Sequence, residues 1–87
     1  MYHCYVVGSI FGAGWLMLQP AYAWQAYANP LTAFLSGANE NYNGVLADVL
    51  SNADFSQFTP GSQLYIGYGV NADEMMAAGR YNTYNVS

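Results

Sequence analysis

At 87 residues the chain has room for one domain, which buries only about 60 to 65% of the surface its unfolded form exposes, so one small core is the expectation. Charged residues make up 7% of the sequence and aromatics 17%, with nine tyrosines and two tryptophans, the reverse of the balance that keeps a segment disordered. Five carboxylates stand against a single cation, Arg80, for a net charge of −4; this excludes phosphate neutralisation on nucleic acid and electrostatic attachment to anionic lipid.

Residues 4–39 carry no formal charge, and this run admits two readings. In one, residues 5–18 are the apolar stretch of a targeting segment that ends at Pro20 and the small-residue pattern Ala21, Tyr22, Ala23. Against it, MYHC supplies no lysine or arginine, Gly8, Gly12 and Gly14 interrupt the stretch, and cleavage would leave about 64 residues for a core. A membrane-spanning helix fits less well still, because Gln19 and Pro20 close the run short of about 20 apolar residues. In the preferred reading the same residues are strands. Tyr2, Cys4 and Val6 alternate with His3, Tyr5 and Val7, SIFGAG supplies a turn, and residues 15–19 form a second run. Residues 21–27 form a third, with Trp24 as a packing element, ended by Asn29 and Pro30.

Residues 31–35 are a short apolar segment, and SGANENYNG is a loop by composition. Residues 45–50 fit both periods: Val45, Leu46, Val49 and Leu50 suit one face of a helix, and strict alternation suits a buried strand. SNADFSQFTPGSQ is a polar connection pinned by Phe55 and Phe58, with a turn at Pro60 and Gly61. Residues 64–68 are the clearest strand, in which Gly67 and Gly69 mark a bulge or a neighbour packed against bare backbone.

The spacing then predicts a helix over Ala72–Ala78. Asn71 is its N-cap, Glu74 is placed to return a bond to the cap amide, Asp73 and Glu74 favour the positive end of the dipole, and Gly79 supplies the left-handed C-terminal position. Two turns do not persist alone, so Met75 and Met76 are expected to dock on the core. Arg80 sits beside the carbonyl end, within reach of Asp54 or Glu40, and residues 81–86 resume alternation as a last strand. Asn71, Glu74, Gly79 and Arg80 are therefore read as structural residues.

Segments YVVG, GAGWLMLQ, NPLTAFLSG and VLADVLSNADFSQFTPGSQLYIGYGVNADEMMAAGRY together resemble a β-rich module found in the carboxy-terminal parts of secreted or surface-exposed proteobacterial proteins. Its pattern is an aromatic strand ending GYG, a short Met/Leu helix and a terminal RY strand. The resemblance implies a β-sandwich-like domain with no known activity, exported to the periplasm, the cell surface or the medium. Two departures stand out: the chain starts almost at the first strand, and RYNTYNVS is a residue shorter or shifted. They imply a fragment, or a reading frame begun at an internal methionine, that lacks an N-terminal strand and leaves an edge strand open to pairing.

No catalytic constellation is legible. His3 and Cys4 are adjacent, and adjacent strand residues point to opposite faces. Cys4, the one cysteine, forms no internal disulfide and reads as a small buried hydrophobe. Asp48, Asp54, Asp73 and Glu74 lack calcium-loop spacing, and YIGYG lacks the glycine pattern of a nucleotide loop. The expectation is thus an all-β, antiparallel, sandwich-like domain over residues 1–87 with one short helix near the C-terminus, without cofactor or metal. It is read as a non-enzymatic structural or interaction module of an exported protein. Its partners are other domains of a parent polypeptide or another protein, met through the edge strand, and neither nucleic acid nor membrane. Contacts to a ligand or partner are expected from Trp15, Trp24, Tyr65 and Tyr68. Two alternatives are a small secreted or membrane-inserted peptide with a targeting segment at residues 1–23, and a carbohydrate-binding module using exposed aromatics.

Overall fold

A computed structural model describes residues 3–19, 22–27, 31, 33–36 and 42–86. Residues 5–18 form two strands and a turn: β1 (His3–Ile10) and β2 (Gly14–Gln19) pair antiparallel, with Ile10 opposite Gly14. The turn between them works because Gly12 takes φ 81°, a left-handed angle that a side chain would resist. It is anchored from outside, since Ser62 Oγ accepts the Phe11 N–H at 2.9 Å and Thr59 Oγ1 donates to the Phe11 carbonyl at 3.0 Å. Ser62 is buried and lies next to β5 (Gln63–Gly69), so the hairpin tip is tied to the start of that strand.

β1 is the central strand. β5 pairs along one of its edges from His3 to Ser9, while β2 and the two-residue β4 (Leu35–Ser36) share the other. β3 (Ala23–Ala26) extends the sheet beyond β2, and β6 (Tyr81–Asn85) extends it beyond β5, giving the order β3-β2-β1-β5-β6 with every pairing antiparallel. Along this path odd-numbered residues pair with odd and even with even, so residue parity alone assigns a side chain to a face. Both faces are covered at the centre, so residues 4–8 are all buried and the alternation of side chains expected there does not become an alternation of buried and exposed positions.

The even face carries the larger core. Cys4, Val6, Leu18, Leu64, Ile66 and Tyr68 pack beneath Val45 and Val49 of helix α1 (Tyr42–Asn52), with Phe34 between. Residues 45–50, which fit two periods, are therefore helical, and Tyr42 to Gly44 of the expected loop belong to the same helix. Trp24, Phe55 and Phe58 extend this core as a three-ring cluster with centroids 5.0 to 6.1 Å apart. The Trp24 Nε1–H donates to the Asp54 carbonyl at 2.8 Å, which binds the connection after α1 to β3.

On the odd face, Tyr5, Val7, Met17 and Leu31 meet Met75 of helix α2 (Ala72–Ala78). α2 follows its predicted caps closely. The Glu74 N–H donates to Asn71 Oδ1 at 2.8 Å; Gly79 takes φ 68°, and its N–H and that of Arg80 close the helix on Met76 and Met75 carbonyls. The glycines of β5 mark a close neighbour and not a bulge: a Cβ on Gly69 would stand 2.8 Å from Met75 Cβ, and one on Gly67 would collide with the Met75 sulfur.

Four expectations need correction. The described strands form one sheet with a helix on each face, not the two facing sheets of a sandwich, because α1 and α2 supply the apolar cover that a second sheet would provide. There are two helices among the described residues, not one. Glu74 returns its bond to the Val70 N–H, at 3.3 Å, one residue before the cap. Arg80 pairs with Glu74, Nη1 to Oε2 at 2.7 Å; Asp54 is occupied instead by the Ser56 N–H, and Glu40 lies outside the described residues.

Candidate functional site

Parity brings Tyr5, Trp15, Tyr27, Tyr65 and Tyr81 to the odd face, although they come from different parts of the chain. They line an open trough of about 510 Å³ over β1 and β5, floored by Tyr5, Val7 and Gly67 and bounded by Met75 and Met76 of α2. α2 covers only part of this face, so large apolar groups remain in solvent: Trp15 is 52% exposed, Met76 46% and Tyr81 44%. Trp15 stacks on Tyr65 with centroids 5.8 Å apart, and Tyr65 meets Tyr81 edge-on at 6.1 Å. A short polar chain borders these rings: the Tyr65 hydroxyl donates to Gln63 Oε1 at 2.7 Å, and Gln63 Nε2 donates to Asn85 Oδ1 at 3.1 Å.

Tyr81 also belongs to the edge of the sheet. The Tyr68 N–H donates to the Arg80 carbonyl and the Val86 N–H to the Ser62 carbonyl, so even-numbered residues of this segment direct their backbone toward β5. Antiparallel alternation then turns the N–H and C=O groups of Tyr81, Thr83 and Asn85 outward, where no strand among the described residues pairs with them. Every residue of β6 is exposed. YNTYN carries no proline and no charged side chain, two usual protections of a sheet edge. The opposite edge differs, since β3 has four residues and its Trp24 is engaged by the 53–58 connection.

Of the four residues expected at a contact site, Trp15 and Tyr65 lie together in the trough. Trp24 and Tyr68 are on the even face, Trp24 against Phe55 and Phe58 and Tyr68 inside the core. Sequence reasoning missed Tyr5, Tyr27 and Tyr81 because their shared face depends on strand register. Of the two methionines expected to dock on the core, Met75 does so and Met76 does not: it stays 46% exposed beside the trough. His3 and Cys4 point to opposite faces; the Cys4 thiol is buried in the even core, where desolvation pushes it up to about 11 against a smaller opposing effect of the Tyr68 hydroxyl.

No protein-family model matches the chain, and no curated protein sequence and no solved structure matches it either. Among the described residues no helix is long and apolar enough to cross a membrane.

Proposed function

We propose that this chain is a non-catalytic interaction module of an exported protein that takes an extended polypeptide segment as an added strand beside β6. The observation that carries the reading is that the bare edge and the apolar trough share Tyr81. Strand addition supplies affinity through the outward backbone groups of Tyr81, Thr83 and Asn85, and specificity through alternate side chains of the guest. Guest residues on the odd face fall beside Tyr81 and Thr83, next to the trough, so aromatic or aliphatic residues are favoured there.

Export is proposed on the resemblance of the sequence to modules of secreted proteins alone. Loss of residues 1–23 as a targeting segment would remove the central strand and its β2 neighbour, which favours retention of these residues in the folded module. Mass spectrometry of the product separates the two: an amino terminus at Trp24 would support the cleaved form. A sugar-binding use of the trough is less well supported, because Trp15 already stacks on Tyr65 and the lining offers few polar groups.

Selection of displayed random peptides on the immobilised chain tests strand addition. Enriched sequences should alternate apolar and polar residues, and their binding should be lost in Thr83→Pro, which deletes an outward N–H. Enrichment of no alternating sequence, or binding undiminished in that variant, would refute the reading.

A further inference from the structure

We infer that the natural occupant of the β6 edge is β6 of a second copy, paired antiparallel about a two-fold axis through Thr83. This rests on the strand-addition reading and names its partner.

Three features of Tyr81–Asn85 point to itself as the complement. First, the outward groups are symmetric about Thr83. With Thr83 opposite Thr83 of the second copy, Tyr81 faces Asn85 and Asn85 faces Tyr81, so each outward N–H and C=O meets a partner in a hydrogen-bonded pair. Second, the side chains match in the same register. YNTYN read against its own reverse sets every tyrosine opposite an asparagine, Tyr81 with Asn85 on the odd face and Tyr84 with Asn82 on the even face, and threonine opposite threonine. No bulky ring opposes another and no like charges meet; Arg80 falls opposite Val86. Third, the alternative pairing of β6 with β3 of another copy is disfavoured, because β3 is shorter and its Trp24 is held by Asp54 and the phenylalanines. A pairing of β6 with itself closes after two copies, whereas β6 on β3 would propagate into a filament.

The pairing continues the sheet across the axis and sets the two odd faces side by side, with Tyr81 of each copy near the seam. Five residues of edge make a small interface, so the dimer should form with rising concentration and not be obligate.

Sedimentation equilibrium over a concentration series is the test. The wild-type mass should climb from 9.5 kDa toward twice that value and stop there. Thr83→Pro should hold the mass at the monomer value, because the Thr83 N–H points away from β5 and its loss spares the internal ladder. Thr83→Lys, which sets two ammonium groups across the axis, should do the same should the proline variant fail to fold. Hydrogen exchange adds a register-specific readout. Amides of Tyr81, Thr83 and Asn85 should gain protection with concentration, while those of Asn82 and Tyr84 stay protected throughout. A wild-type mass fixed at the monomer value, growth beyond two copies, a dimer that survives both variants, or protection gained elsewhere would each overturn the inference. Peptide capture at β6 without dimerisation would refute the second copy and leave strand addition standing.

Discussion

The sulfur of Met75 occupies the space that a Cβ on Gly67 would need. Two further atoms crowd the same point, the Arg80 carbonyl oxygen and Tyr81 Cβ, each at 2.9 Å. The thioether can swing away, but the carbonyl belongs to the backbone closing α2 and entering β6. The glycine therefore sets how closely the helix and last strand approach β5. Gly67→Ala should cost about 1 to 3 kcal/mol by overpacking. Gly69→Ala should fall in the same range, since its Cβ would meet the Asn71 carbonyl at 2.9 Å and Met75 Cα at 3.0 Å. Urea titrations of both variants check this; stability equal to wild type would mean that α2 is not seated on the glycine backbone.

The two ends of α2 should respond unequally to mutation. Asn71→Ala removes the acceptor of the Glu74 N–H and should cost about 1 kcal/mol. Arg80→Ala removes an ion pair whose side chains are 40% and 30% exposed, so its cost should stay below about 1 kcal/mol and shrink further in high salt. Thermal melts at low and high ionic strength compare the two. A larger and salt-sensitive loss for the arginine would reverse the ranking.

Burial of Cys4 predicts alkaline sensitivity. At pH below 9 the thiol is protonated in both folded and unfolded chains, and its contribution to stability is fully present. Above the ordinary value of 9.0 the unfolded thiol ionises while the folded one keeps its proton up to about 11, so stability falls as pH rises through that window. The loss amounts to about 2 to 3 kcal/mol by pH 11. Tyr5, also raised by burial, adds a loss of the same sign at higher pH. Cys4→Ala should flatten the pH 9 to 11 slope without abolishing it, as followed by denaturant midpoints. In the native chain the thiol should resist a disulfide reagent until the protein is unfolded.

Emission of the two tryptophans should report opposite environments. Trp15 is half in solvent on the odd face, whereas Trp24 is lodged against Phe55 and Phe58 with its indole N–H bonded to the Asp54 carbonyl. In Trp15→Phe the remaining emission should be blue-shifted and poorly quenched by acrylamide. Trp24→Phe should leave the red-shifted, quenchable signal and also cost about 1 kcal/mol or more through the lost N–H···O bond. An exposed Trp24 would contradict the assignment of even residues to the α1 face.

The sequence by itself determined what short stretches of chain decide. The capped helix after Asn71, its left-handed close at Gly79 and the turn after Ile10 rest on hydrogen bonds and backbone angles spanning a few residues, so they were legible locally. The strand character of residues 64–68 and 15–19, and of the described part, residues 3–7, of the alternation expected over residues 2–7, was legible in the same way. Tertiary structure alone decided the helical state of residues 45–50, whose apolar spacing fits two periods until β1 and β5 present a face for Val45 and Val49. It also decided which aromatics share a site. Trp15 and Trp24 look equivalent in the sequence, yet the register of β3 on β2 sends them to opposite faces, and a slip of β3 by one residue would put both on the same face. Register is set by contacts between segments up to tens of residues apart, and no local pattern encodes it.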